Sequence, residues 1–258
     1  MSDSQSLKIG VQLQTHVVSP LAYRGVVESA LQLGVDSVFL WDHLVPFTGD
    51  QGDVAWDTWT LLGSLAELFV ARNQQLGVLV SPLSIREPAA LARSAATVAQ
   101  LGNGTFILGV GSGGFVHDDN LTDAPQDVQT RMILFARRLR FLREEVSRIN
   151  ASLGTKVLIW VGGSGEKVTI PLAIKYADGW SGFGPPSEFI NKASRFLGTD
   201  HEVSVLLTSK DPNNDLQNYS DAGAHHVIRS LRPNQDFGFD LEPISGMLSE
   251  RAQLIGSL

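Results

Sequence analysis

Asp42 and His43 place an acid beside a histidine, residue types that can do chemistry. They follow an apolar run, Ser37-Val-Phe-Leu-Trp, and Pro46 stops the segment. A histidine with an ordinary pKa of about 6.5 suits proton transfer or a hydrogen bond to a ring-shaped ligand. The alternative is a histidine that serves only packing. Polar residues and glycines recur just after other apolar runs: Gln12 and Gln14, then Ser81, then Ser112 among glycines, then Gly162-Gly163-Ser164-Gly165. Where such runs are buried parallel strands, all these residues fall at carboxyl ends, the side on which ligands bind in α/β folds. That recurrence is the strongest case for a site that the residues make by themselves.

The two glycine clusters differ. Gly109, Gly111 and Gly114 satisfy G-x-G-x-x-G, but Phe115-Val-His-Asp-Asp-Asn-Leu-Thr-Asp does not read as a helix with a buried face, so the dinucleotide reading is weak. What remains is a backbone that a flat ligand can approach closely, or a plain turn. The Gly162–Gly165 cluster lies between an apolar run and a helical segment expected from Glu166 to Ala177. Free backbone N–H groups at a helix start favour an anion, and a phosphate-bearing ligand is the preferred reading over a structural turn. Lys167 either adds charge there or faces solvent. His117 and His225-His226 show no ligand spacing and the chain has no cysteine, so no metal site, disulfide or thiol chemistry is expected.

The elements that must position these residues can be counted. Strands are expected at Leu7–Leu13, from Ser37, and at Leu76–Val80, Thr105–Val110, Val157–Val161, Gly179–Gly182, Val203–Thr208 and His226–Arg229. Ser19-Pro20 reads as a helix start and Gly34 as its stop. A polar loop with Gly49 and Gly52 leads to Asp57, a helix N-cap. Further helices are expected from Pro88 to before Gly102, near Ser187–Leu197 and over Leu241–Ile255. Met132, Phe135, Leu139, Leu142, Val146 and Ile149 mark a long amphipathic helix whose arginines read as a solvated face. Such alternation predicts one α/β domain over 1–258, a closed (β/α)8 barrel, with a doubly wound open sheet as runner-up.

Composition agrees with a globular chain. Its 258 residues are 43% hydrophobic and its net charge of −7 argues against nucleic acid or an anionic membrane as main partner. The first twenty residues lack an apolar leader and no run approaches membrane-spanning length, so a cytoplasmic protein acting on a small molecule is expected.

The chain resembles the bacterial luciferase-like family of flavin and deazaflavin oxidoreductases. The likeness is carried by Lys8-Ile-Gly-Val-Gln12, Gly34-Val-Asp-Ser-Val38 with Trp41-Asp42-His43, Trp59-Thr-Leu-Leu62, and Leu76-Gly-Val-Leu-Val-Ser-Pro82. It continues in Leu108-Gly-Val-Gly-Ser-Gly113, Gly162-Gly-Ser-Gly-Glu-Lys167 and Tyr176-Ala-Asp-Gly-Trp180. It implies a TIM-like barrel that holds coenzyme F420, with FMN as alternative, and moves a hydride to or from a small organic substrate. It also implies cofactor contacts at Asp42, Leu79, Val80, Ser81, Gly111, Ser112 and Gly162, a phosphate held by Gly163, Ser164 and Gly165, and His43 beside the reacting ring. A cis peptide is expected at Leu79-Val80, beside the cofactor, and a homodimer through helices two and three. An FMN-dependent luciferase-like monooxygenase and a non-catalytic binder are the other readings. Three departures stand out. Arg86-Glu87-Pro88 replaces Arg-His-Pro, Gly114 stands where sugar-phosphate dehydrogenases carry a glutamate, and the insertion after strand four is shortened.

Overall fold

The computed structural model describes residues 7–46, 54–212, 215–234 and 238–256. The expected loop at Gly49 and Gly52 lies outside these residues, as do residues 1–6. Eight parallel strands pair in chain order and close into a barrel: β1 (Lys8–Leu13), β2 (Ser37–Leu40), β3 (Gln75–Pro82), β4 (Thr105–Gly111), β5 (Lys156–Gly162), β6 (Gly179–Gly182), β7 (Glu202–Leu207) and β8 (His226–Leu231). Closure comes from β1 pairing with β8, Lys8 opposite His226 and Leu13 opposite Leu231. The architecture is the TIM-like barrel that the resemblance implies, and not the open sheet.

Helices α1 (Ala22–Leu33), α2 (Thr58–Leu65) and α3 (Pro88–Leu101) fill the first crossovers. After β4 come α4 (Val116–Asp119) and the 26-residue α5 (Val128–Leu153). Then follow α6 (Thr169–Tyr176), α7 (Pro186–Ala193), α8 (Leu216–Asp221) and α9 (Glu242–Gly256). Asp57 caps α2 as expected, its carboxylate accepting from Thr60 N at 2.8 Å. Gly34 ends α1 with φ 92°, a conformation that costs glycine little. Three expectations need correction. Ser19-Pro20 forms a turn ahead of α1, which starts at Ala22 with no side-chain cap. Residues 166–168 are a turn, so α6 begins only at Thr169. The α5 arginines are not simply solvated: Arg138 donates to Leu83 O at 2.8 Å, and Arg143 to Tyr176 O at 2.8 Å and Asp178 at 2.6 Å.

Strand side chains alternate between two cores. Phe39, Leu79, Ile107, Trp160, Leu206 and Ile228 fill the barrel interior, while Val11, Val38, Leu40, Val78 and Leu108 face the helices with Val27, Leu62 and Leu139. The interior is tight enough to dictate glycine. A Cβ on Gly77 would lie 2.6 Å from the Phe39 ring, and one on Gly179 would lie 2.6 Å from Trp160. The large rings therefore fix the wall behind the mouth, and the loops above it hang on a rigid frame.

Candidate active site at the carboxyl end of the barrel

A cavity of about 470 Å³ opens at the strand carboxyl ends, within the size range of small-molecule sites. Period-two alternation decides which residues reach it. Gln12 and Gln14 line it while Leu13 packs outward; Trp41 and His43 line it while Asp42 does not; Val80 and Pro82 line it while Ser81 does not. Its floor is polar: Ser230 Oγ donates to Gln12 Oε1 at 2.6 Å, and Gln12 Nε2 donates to Leu79 O. Its walls are apolar, made by Trp41, Leu79, Val80, Phe115, Phe183 and Leu206.

The residues singled out from the sequence divide accordingly. His43, Leu79, Val80, Gly111, Ser112, Gly162 and Gly163 line the cavity. Ser164 and Gly165 are exposed beyond it, in the turn that leads to α6. Asp42 and Ser81 sit behind the wall, 1% and 0% exposed. Asp42 accepts from Ser81 Oγ at 2.7 Å, Arg86 Nε at 2.9 Å, Arg86 Nη2 at 2.5 Å and Trp59 Nε1 at 3.2 Å. Both oxygens of this carboxylate are thus engaged by the protein itself. Burial pulls the Arg86 guanidinium down, but Asp42 and Asp57 outweigh it and raise its pKa. Arg86, at the point where the chain keeps only part of the Arg-His-Pro pattern, orders the wall from behind.

His43 has an acid partner that sequence reading missed. Its Nδ1 lies 2.6 Å from Asp118 Oδ2. Asp118 is 2% exposed, and its other oxygen accepts from Leu44 N at 2.9 Å and Val45 N at 3.2 Å. One carboxylate therefore fixes both the ring and the loop that carries it. With a carboxylate on Nδ1, the N–H belongs there and Nε2 is the basic nitrogen. Trp41 and Phe115 hold the ring edge-on, with centroids 4.8 and 5.3 Å away. Asp119, also 2% exposed, lines the cavity beside Asp118. Burial pushes its carboxyl above the ordinary range, against the pull of Arg131. Both acids ride on α4, a four-residue turn of helix inside the segment from Phe115 to Asp123 that its sequence does not mark as a helix with a buried face.

The glycines have separate reasons. Gly163 takes φ 121° and Gly114 takes φ 108°, conformations that side-chain-bearing residues rarely adopt. Gly111 and Gly162 are small because of Val80: a Cβ on either would lie 2.9 or 2.7 Å from its methyls. The Leu79-Val80 peptide is cis, as the resemblance implies. Two hydroxyls at the cavity, Ser84 Oγ and Ser181 Oγ, are buried without a hydrogen-bond partner. Buried polar atoms of this kind are uncommon unless a ligand or water meets them. Flat apolar walls with unmet hydroxyls suit a heteroaromatic ring with polar edges. The backbone of Gly163 is already engaged, its N–H donating to Ser181 O at 3.1 Å and its O accepting from Trp180 Nε1 at 2.7 Å. Among the described residues no group of three His, Asp or Glu side chains could hold a metal ion, and no helix is long and apolar enough to cross a membrane.

Known proteins resemble this frame. An F420-dependent secondary alcohol dehydrogenase bound to an F420-acetone adduct superposes with a TM-score of 0.72 at 17% identity, covering 94% of this chain and 99% of that one. The FMN complex of a type II Baeyer-Villiger monooxygenase from Pseudomonas putida gives 0.53 at 14% identity, over 86% of this chain and 66% of that one. In sequence, an F420-dependent glucose-6-phosphate dehydrogenase of Amycolatopsis mediterranei is 35% identical over 112 residues, 42% of this chain. That match spans only 32% of the relative's own length. The profile of the luciferase-like monooxygenase family matches residues 7–195, most of the barrel. This chain belongs to the luciferase-like monooxygenase family.

Proposed function

We propose that the protein is an F420-dependent oxidoreductase acting on a small organic substrate, with His43 as its proton-handling residue. The observation that carries the reading is the His43–Asp118 pair lining an apolar cavity beside two unmet hydroxyls. When bound, the deazaflavin would donate or accept the hydride. Oxidation of an alcohol to a carbonyl releases one hydride from carbon and one proton from oxygen, so a base is needed for the proton. His43 Nε2 is set for that part, and Asp118 would stabilise the charge the ring acquires.

Other residues would bind and orient. Ser84, Ser181 and the floor amides Gln12 and Gln14 would meet the polar edges of the ring. Leu79 and Val80 would support its face, with Gly111 and Ser112 at its side. Exposed backbone at Ser164 and Gly165 would hold the phosphate, while the Gly163 N–H is already given to Ser181 O at 3.1 Å. Asp42 and Ser81 act indirectly here, by bracing the wall through Arg86. The F420-using proteins similar in sequence and fold favour the deazaflavin over FMN.

Parallel titrations of purified protein with F420 and with FMN, followed by ligand fluorescence, test the cofactor. The expected result is saturable one-to-one binding of F420 and weaker binding of FMN. Tight binding of FMN alone would point to the monooxygenase reading instead, and binding of neither would end the proposal.

A further inference from the structure

The charge of the cavity is one-sided. Asp118 and Asp119 line it, and among the described residues no lysine or arginine does. Residues 1–6, 47–53, 213–214, 235–237 and 257–258, outside the described set, contain neither residue type. The cation whose charge reaches Asp119 is Arg131. It lies against Gly114 and donates to Gln126 O at 3.2 Å, and it does not line the cavity. The other charge facing Asp119 is Asp118, which is committed to His43 and two backbone N–H groups. The polar groups that do await a ligand are uncharged: the Ser181 hydroxyl, on a residue 1% exposed, and the Ser84 hydroxyl, on one 8% exposed.

We infer that this cavity takes a neutral, largely apolar alcohol or carbonyl compound and turns away phosphorylated or carboxylated ones, with Asp119 setting that preference. The inference rests on the oxidoreductase reading for its reaction but not for its charge argument. An anion entering here would lose water and meet no lysine or arginine in the lining; His43 has its own acid in Asp118, so Asp119 remains as a like charge facing the anion in a poorly screened space. A carbonyl or hydroxyl oxygen carries no charge to desolvate and needs only a hydrogen bond. Selection by a repelling like charge is a common route to specificity. The glucose 6-phosphate in the name of the Amycolatopsis relative carries the kind of group this lining cannot pair. A cofactor phosphate is assigned to the exposed backbone of Ser164 and Gly165, so the same repulsion does not bar it.

The test compares cyclohexanone with 4-oxocyclohexanecarboxylate, which share a ring and ketone and differ by one carboxylate. Their affinities for the F420-loaded protein are measured by ligand-observed NMR at neutral pH, in low and in high salt. The ketone is expected to bind at least about tenfold more tightly at low salt, the gap narrowing severalfold in high salt as screening grows. Asp119→Asn should narrow it similarly, and the salt series on the unmodified protein stands if that variant does not fold. Equal or tighter binding of the carboxylate, a gap indifferent to salt, or binding of neither compound would overturn the inference. The same titrations without F420 separate the two readings. If F420 fails to bind, the cofactor assignment falls, while the ranking of the two ketones still decides the charge preference.

Discussion

Two histidine–carboxylate pairs occupy opposite ends of the barrel, and their difference shows how position assigns chemistry. At the carboxyl end, His43 meets Asp118 at 2.6 Å and lines the cavity. At the amino end, His226 stands at the start of β8, its Nε2 2.9 Å from Ser37 Oγ and its Nδ1 3.7 Å from Glu202 Oε1. Glu202 pairs with Lys8 at 2.8 Å. Serine, histidine and glutamate there look like a hydrolytic triad by residue type, yet Ser37 and His226 are both 0% exposed and neither lines the cavity at the other end. The packing is close enough that a Cβ on Gly10 would lie 2.4 Å from Ser37 Oγ. No substrate atom can reach that serine, so the lower pair seals the barrel, whereas the upper one stands open to a ligand.

Disturbing each pair should therefore damage different properties. Asp118→Ala removes the acceptor that orients His43 and anchors Leu44 and Val45. It should cut turnover by roughly a hundredfold, read as kcat at saturating cofactor, and lower the melting temperature by a few degrees for the two backbone N–H groups left unmet. A fall in melting temperature with no loss of kcat would show that Asp118 only holds the loop.

The lower pair should answer to acid through stability. Burial raises the Glu202 carboxyl, but His226 and Lys8 outweigh it and bring its pKa from 4.5 to about 2. Between those values the unfolded chain binds the extra proton, so this stabilisation is present above pH 4.5 and lost as pH falls through about 2. His226 is pushed below its ordinary 6.5 by burial, so below that pH the unfolded chain again takes up more protons. Both effects run in one direction. Denaturant titrations should show stability declining from about pH 6.5 downward, with about 2 kcal/mol lost at the Glu202 step after allowance for partial exposure. A flat profile over that range would remove the ionic seal from the account. Smaller again is Ser37→Ala, expected to cost about 1 kcal/mol for one buried hydrogen bond and to leave kcat untouched. A rate loss there would mean that the two ends are coupled.

Much of the fold is legible in the sequence because strands buried on both faces leave short continuous apolar runs, such as Val157–Val161 and Val203–Leu207, that chain topology then has only to order. α8 is less visible, since Leu-Gln-Asn-Tyr-Ser-Asp is too short to show a helical period. α4 escapes for the same reason, and with it Asp118, whose contact with His43 spans 75 residues of chain. The strand ends are readable as a rim, but which of two neighbours faces inward is a matter of strand alternation. Applied to Trp41-Asp42-His43, alternation would have put Asp42 behind the wall with Ser81. Arg86 could not have been assigned from the sequence, because its partner is chosen by the loop after β3 folding back onto β2.

The central claim is that His43 handles a proton in hydride transfer while His226 only supports the barrel. A single-turnover measurement with F420 pre-bound and a neutral secondary alcohol in excess, followed by loss of the oxidised deazaflavin absorbance, tests both histidines together. The account predicts that His43→Ala keeps cofactor binding but transfers hydride on the order of a hundredfold to ten-thousandfold more slowly, whereas His226→Gln transfers at the unmodified rate with lowered stability. Equal transfer rates for His43→Ala and the unmodified protein would contradict it.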